Sequence, residues 1–127
     1  MTGSRKILRT AVAAAVLTGA AAFATTQQAA AEPPHKVVGN VSLRAWEENG
    51  RTTEIHGYMQ GTYTAPIRGH VDIWGPGINP PSVGPTMNSP VHSARTNGRV
   101  GRFCVRGWSY DGAYWHDEGT ACVVTER

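Results

Sequence analysis

The sequence has almost no net charge outside its first residues, and this excludes one broad class of function. Its 127 residues carry 12 Lys and Arg against 9 Asp and Glu, a formal charge of +3. Three of the bases (Arg5, Lys6 and Arg9) lie within residues 1–31 and all nine acids follow them, so the rest of the chain is formally neutral. A neutral domain has no general electrostatic attraction to nucleic acid. We therefore expect no nucleic-acid partner.

The sequence also lacks an apolar run long enough to span a membrane. Residues 11–23 form an apolar stretch of about 13 residues, whereas a bilayer requires roughly 20. Bases precede this stretch and the small residues 29–31 follow it, which is the pattern of a cleaved secretory signal peptide over residues 1–31. Its Ala- and Thr-rich composition is typical of exported bacterial proteins. We expect a secreted protein with no membrane contact after cleavage, a flexible N terminus over residues 32–36 and a single β domain over residues 37–127.

Cysteine is scarce, since the sequence contains two, Cys104 and Cys122. In an oxidising compartment, two cysteines in a small domain most simply form one disulfide. A zinc site would need a second pair of ligands at suitable spacing, which the sequence does not offer. A disulfide that closes a loop of about 15 residues stabilises a domain by roughly 3 kcal/mol. We therefore expect this bond to supply a large share of the stability.

Helical periodicity is missing from the sequence after the leader. The chain contains 15 Gly and 8 Pro, spread so that any helix would be interrupted at short intervals. Residues 37–45, 55–63 and 67–73 instead alternate between small or apolar and polar side chains, as half-buried strands do. The sequence therefore predicts an all-β fold, a small antiparallel β-sandwich or partly open barrel. About six strands are expected, near residues 37–47, 51–63, 67–74, 91–96, 99–109 and 114–125.

Turn residues suggest how the strands pair. Residues 48–50 suit a three-residue hairpin loop, which would place Leu43 opposite Ile55 and align the apolar rows. Asn97 and Gly98 predict a second tight turn.

The last hairpin has two possible registers. A two-residue turn beginning at Asp111 would put Cys104 and Cys122 on opposite faces of the sheet, where they cannot bond. Either the tip is a longer loop, roughly residues 111–115, or a bulge near Gly119 shifts the register. The sequence leaves both open.

Residues 75–90 break the alternation. Their prolines remove backbone donors, so the sequence predicts a long, stiff loop here rather than a strand. A rigid, exposed segment is the kind of element with which a secreted inhibitor occupies an enzyme cleft, because pre-ordering lowers the entropic cost of binding. The residues that would enter the enzyme are Pro85, Thr86, Met87 and Asn88.

The sequence contains none of the common catalytic signatures. It has no His-Glu-x-x-His, no Gly-x-Ser-x-Gly and no phosphate-binding Gly loop. Its five histidines are spread along the chain, and the two candidate sets of metal ligands, His70 with Asp72 and His116 with Asp117 and Glu118, are more typical of a solvated polar face. We expect no enzyme activity, no bound metal and no cofactor.

Aromatic residues give the remaining functional signal. Trp and Tyr have a flat apolar face and a polar edge, so they either fill a core or stack on a ligand, and the sequence leaves both open. The candidate ligand-binding residues are Trp108, Tyr110, Tyr114, Trp115, Trp46 and Trp74. We predict a monomeric, non-catalytic binding module for an extracellular polysaccharide or envelope polymer. The alternative is an inhibitor of a secreted protease or glycosidase that acts through residues 76–90 or 108–116.

Overall fold

Strands make up most of the chain that the structure, a computed structural model, describes: residues 33–61 and 65–126. These described residues form nine strands: β1 (His35–Val38), β2 (Val41–Glu48), β3 (Arg51–Met59), β4 (Arg68–Gly75), β5 (Ile78–Val83), β6 (Met87–Asn88), β7 (Val91–Arg95), β8 (Gly101–Tyr110) and β9 (Trp115–Thr125). Sheet A has the order β1-β2-β3-β7, and sheet B has the order β5-β4-β8-β9 with β6 also paired to β4. All the pairings are antiparallel, so the all-β antiparallel prediction is confirmed.

Two further predictions concern export and membranes. The signal peptide predicted for residues 1–31 lies outside the described residues. Within residues 33–61 and 65–126, no helix is long and apolar enough to cross a bilayer.

The inner faces of the two sheets share one hydrophobic core. Alternate residues of β2, β3, β4, β8 and β9 point inward and are almost fully buried, among them Leu43, Ile55, Ile73 and Phe103. Burying each such side chain stabilises the fold by about 1.5–3 kcal/mol. The period-two alternation seen in the sequence is therefore the pattern that sorts side chains between the core and the outer faces of the sheets.

The N-terminal residues join sheet A earlier than predicted. His35 pairs with Arg44, so β1 begins inside the segment 32–36 that was expected to be flexible. Gly39, with φ 57°, turns the chain back and divides the predicted strand 37–47 into β1 and β2. Ala45 N also donates to Pro34 O over 2.9 Å, which fixes the chain just before β1.

The first long hairpin has a two-residue turn, so the prediction of a three-residue loop is wrong. Asn49 and Gly50 both have positive φ, 52° and 74°, which is typical of a two-residue turn between twisted strands. A register shift beside Trp46 then pairs Ala45 with Ile55. The bulge therefore restores the alignment of the apolar rows that the short turn alone would have offset.

Residues 75–90 are not the loop that the prolines predicted, because β5 and β6 lie there. β5 is the edge strand of sheet B and pairs with β4 along one side. Its paired positions include Ile78, Ser82 and Val83, while Pro80 and Pro81 fall between them. Proline is tolerated at an edge because a strand there needs donors on one side.

The final hairpin has both of the features that the sequence left open, a longer loop at its tip and a bulge. Tyr110 pairs with Trp115, so the tip is a loop of four residues, 111–114. A bulge beside Gly107 adds one more residue on β9, and Gly119 at that point has φ 118°. The longer loop and the bulge each contribute part of the change in register that places Cys104 opposite Cys122.

The predicted disulfide follows from this register. Cys104 and Cys122 lie directly opposite each other and are bonded, with their Cα atoms 4.1 Å apart. The turn at Asn97 and Gly98 is also present, with φ 55° and 73°. It leads from β7 in sheet A to β8 in sheet B.

Candidate functional site

The outer face of sheet B gathers aromatic and charged side chains in one place. Inward residues alternate with outward ones on β4 and β8, so the even-numbered residues of both strands point away from the core. His70 is the direct partner of Trp108, and Tyr110 is the direct partner of Trp115. We call this surface the aromatic face; it comprises His70, Asp72, Trp74, Arg106, Trp108, Tyr110, Trp115 and Asp117.

The rings of the aromatic face form one continuous set of contacts. The Tyr110 and Trp115 ring centroids are 4.9 Å apart, and Trp115 meets His70 edge-on at 4.8 Å. His70 in turn lies 6.4 Å from Trp108. Trp115 therefore reaches from β9 across β8 to a residue on β4. Contacts at these separations and tilts stabilise aromatic pairs beyond their burial alone.

The Asp72 carboxylate fixes the orientation of two of these rings. One oxygen, Oδ1, lies 2.9 Å from His70 Nδ1, and the other, Oδ2, accepts from Trp108 Nε1 over 3.2 Å. The His70 and Asp72 side chains are about one-fifth exposed. The carboxylate is therefore held at the surface with both oxygens engaged, and it holds the Trp108 indole in a fixed position.

Two arginines lie against the same rings. The Arg106 guanidinium is 4.6 Å from the centre of the Trp108 ring, and that of Arg68 is 5.7 Å from the centre of the Tyr110 ring. Arg106 Nε also donates to Asp117 Oδ2 over 3.1 Å, and its Nη2 donates to the same oxygen. This hydrogen bonding raises the pKa of Arg106 and lowers the pKa of Asp117. Both groups thus stay charged.

A shallow depression of about 280 Å³ opens between the tryptophans of the aromatic face. Trp74, Trp108 and Pro81 supply its apolar walls, and Asp72 and Arg106 supply its polar groups. Drug-sized ligands occupy sites of about 300–1,000 Å³, so this depression suits one ring of a larger ligand. Two larger depressions, of about 520 and 380 Å³, lie beside the Asn-Gly turns, and their described linings contain no aromatic side chain.

The hairpin tip beside the aromatic face is held by Asp111. Its Oδ1 accepts from the backbone N–H groups of Ala113 and Tyr114 over 2.8 and 2.7 Å, and its Oδ2 lies 2.6 Å from His116 Nε2. The hydrogen bond with His116, followed by the two backbone donors, lowers the pKa of Asp111 to about 2. The Tyr114 side chain projects from this fixed loop and is 72% exposed.

The structure places most of the predicted ligand-binding residues on or beside the aromatic face and one of them on the other sheet. Trp74, Trp108, Tyr110 and Trp115 share the aromatic face, and Tyr114 lies on the adjoining tip. Trp46 lies on β2, in sheet A, and is 49% exposed. The residues of the alternative inhibitory segment lie along the β4 edge of sheet B and are exposed: Pro85, Thr86, Met87 and Asn88.

Sequence reasoning missed the polar members of the aromatic face as ligand-binding groups. The sequence places His70, Asp72 and Trp74 on one strand face, and this pattern is also typical of a solvated polar surface. Nothing in the sequence showed that Trp108 and Arg106 would be their partners on β8, because that pairing depends on the register. Within the described ranges, no group of three or more His, Cys, Asp or Glu side chains is arranged to hold a metal ion.

Comparison with known proteins gives no relative for this chain: no family model, no curated protein and no solved structure matches it.

Proposed function

We propose that this protein is a secreted, non-catalytic binding module that recognises an extracellular carbohydrate or envelope polymer on its aromatic face. The observation that carries the proposal is the unbroken contact from Trp108 through His70 and Trp115 to Tyr110, with charged groups alongside. Sugar rings have apolar C–H faces that stack on indole and phenol rings. A row of such rings, partly open to solvent, provides a platform for a chain of sugars.

The polar groups of the aromatic face suit hydroxyl groups. Asp72 is an acceptor and Arg106 is a donor, and both line the depression between Trp74 and Trp108. A small number of fixed polar groups within an apolar surface is the usual basis of ligand specificity. Because Asp72 and Asp117 already hold Trp108 and Arg106 in place, little side-chain entropy is lost on binding.

Export is part of the proposal. The Cys104–Cys122 disulfide is consistent with an oxidising, extracellular environment. The leader over residues 1–31 has the charge and apolar pattern of a signal peptide. Edman sequencing of protein recovered from culture medium tests this directly, because it should begin at or close to Glu32.

Retention on insoluble polymers tests the binding function. We expect wild-type protein to be retained on at least one of chitin, cellulose and peptidoglycan. Trp115→Ala removes a half-exposed ring that bridges Tyr110 and His70, and it should weaken retention about tenfold, equivalent to about 1.4 kcal/mol. Val124→Ala is the matched control, since Val124 is an exposed apolar residue of sheet B outside the aromatic face. Wild-type protein left in the supernatant with all three polymers contradicts the proposal.

A second candidate function is inhibition of a secreted protease or glycosidase through residues 85–88. The observation in its favour is backbone bracing at both ends of this segment. Gly84 N donates to Val71 O over 2.9 Å, and Ser89 N donates to Ile67 O over 2.6 Å. An exposed segment fixed in this way meets the entropic requirement for an inhibitor. Inhibition of a subtilisin-like protease or an amylase by sub-micromolar protein, lost in Met87→Gly, would support it over polymer binding.

A further inference from the structure

The outer face of sheet A repeats the side-chain chemistry of the aromatic face. Trp46 and His56 have ring centroids 5.7 Å apart. His56 Nε2 lies 3.0 Å from Glu54 Oε2, and Arg95 Nε lies 3.7 Å from Glu54 Oε1. A tryptophan, a histidine, a carboxylate and an arginine are therefore in contact here. We call this set the sheet A quartet; it comprises Trp46, Glu54, His56 and Arg95.

The aromatic face contains the same combination of a tryptophan, a carboxylate, a histidine and an arginine in contact. There they are Trp108, Asp72, His70 and Arg106. In both sets the histidine and the carboxylate are two residues apart on one strand, so they project from the same face. The tryptophan comes from the neighbouring strand in each set. The two ring pairs are also similarly tilted, by 33° for Trp46 and His56 and by 31° for His70 and Trp108.

The sheet A quartet is accessible to a ligand. Trp46 is 49% exposed and the Arg95 side chain is 83% exposed. A depression of about 380 Å³ lies on the Glu54 and Arg95 side of the quartet, and its described lining includes neither Trp46 nor His56. The apolar side of β2 and β3 is already filled by the core, so this tryptophan contributes nothing to core packing. An exposed tryptophan beside charged side chains offers a ligand both an apolar ring face and hydrogen-bonding partners.

The sheet A quartet and the aromatic face lie on opposite sides of the core. They belong to different sheets, and each points away from the core that the sheets share. Stacked sheets are about 10 Å apart, and side chains fill the space between them. A sugar stacked on one outer face therefore cannot contact the other.

We propose that the sheet A quartet is a second carbohydrate site and that one molecule of this protein bridges two chains of the same polymer. This inference rests on the proposed function of the aromatic face. The shared chemistry of the sheet A quartet and the aromatic face is the reason for assigning both the same class of ligand. A protein with one site on each face joins neighbouring polymer strands, and it is retained on a dense polymer more strongly than either site alone would allow.

A two-step capture assay tests the bridging. The full-length protein after leader removal is bound to beads of whichever insoluble polymer retains it. The washed beads are then mixed with the corresponding soluble fluorescent polymer: glycol chitin, hydroxyethyl cellulose or solubilised peptidoglycan. We expect wild-type beads to capture at least fivefold more fluorescence than beads without protein. Trp46→Ala should still be retained on the beads and should capture only background fluorescence.

Two further variants control for folding and for site position. Val37→Ala, at an exposed apolar residue of sheet A outside the quartet, should capture like wild type. His56→Gln removes the ring beside Trp46, keeps a hydrogen-bonding group near Glu54, and should also lower capture. Equal urea midpoints for the variants and wild type establish that the loss is local.

The outcomes separate this inference from the proposed function. Wild-type protein that is retained but captures only background fluorescence overturns the bridging and leaves the proposed function standing. Capture by Trp46→Ala at the wild-type level also overturns it. A mixture of Trp46→Ala and Trp115→Ala that captures like wild type would show that the two sites act from separate, associated copies, which overturns bridging by one molecule. Protein that no polymer retains overturns both proposals together.

Discussion

Trp108 and Asp72 are joined by a hydrogen bond from the indole N–H to Oδ2, 3.2 Å long, between adjacent strands of sheet B. Asp72 is opposite Arg106 in the register, and Trp108 is two residues further along β8 on the same face. The bond therefore runs diagonally across the strand pair. The other carboxylate oxygen, Oδ1, is hydrogen-bonded to His70. Asp72 therefore links the rings of His70 and Trp108.

Removal of the Asp72 carboxylate should destabilise the fold and weaken polymer binding. Asp72→Ala leaves the partly buried Trp108 N–H without its acceptor, which costs about 1–3 kcal/mol. Asp72→Asn keeps an acceptor oxygen and should cost less. Urea unfolding measures the first effect and polymer retention the second. Equal unfolding midpoints for Asp72→Ala and wild type would show that the bond does not stabilise the fold.

Loss of the disulfide should lower the free energy of unfolding by roughly 3 kcal/mol, the amount associated with a loop of about 15 residues. Cys104 and Cys122 are 18 residues apart in sequence, which is close to that length. The double variant Cys104→Ala/Cys122→Ala in urea unfolding measures the loss. Dithiothreitol should destabilise wild type and leave the double variant unchanged, and sensitivity of the double variant would contradict this account.

The hairpin tip should loosen at acid pH because of Asp111. Its folded-state pKa, about 2, lies below the reference value of 3.8, so its contribution to stability is complete above about pH 4 and is lost as the pH falls toward 2. Asp111→Asn has the same shape without the charge. The difference in unfolding free energy between wild type and Asp111→Asn should therefore shrink between pH 4 and pH 2. A difference that stays constant across this range would exclude the carboxylate as its cause.

A methyl group at Gly57 should destabilise the core. An added Cβ would lie 2.6 Å from Val105 Cγ1 and 3.0 Å from its Cγ2, closer than packed atoms allow. Overpacking of this kind typically costs about 1–3 kcal/mol, so Gly57→Ala should lower the urea midpoint. In the double variant Gly57→Ala/Val105→Ala, the total loss should be smaller than the sum of the two single losses, because the new methyl group occupies space that the valine vacates. If the double variant is less stable than the sum of the single variants predicts, the clash with Val105 is not the cause.

Side-chain period and turn residues predicted most of the strands and the inward rows of the core. On β4, for example, the alternation correctly placed Val71 and Ile73 inside and His70 and Asp72 outside. This works because the partition between water and core is decided residue by residue along a strand.

The register of the strands could not be predicted from the sequence because it depends on bulges. The extra residue beside Trp46 and the one beside Gly107 each move half of a hairpin by one position. The energies that favour a bulge come from the rest of the sheet, for example from the apolar rows that must meet at Ala45 and Ile55. Without the register, the contacts of His70 with Trp108 and Trp115 had no sequence signal, and neither did the placement of Trp46 on the other sheet.

The proline-rich edge of sheet B has a consequence for behaviour at high concentration. An exposed edge strand is a template on which another copy can add a strand, and repeated addition leads to fibrils. β5 occupies that edge, and its two prolines offer an incoming strand no amide hydrogens at positions 80 and 81. The prolines of β5 therefore also hinder strand-by-strand growth from this edge, which lowers the tendency of concentrated protein to form fibrils.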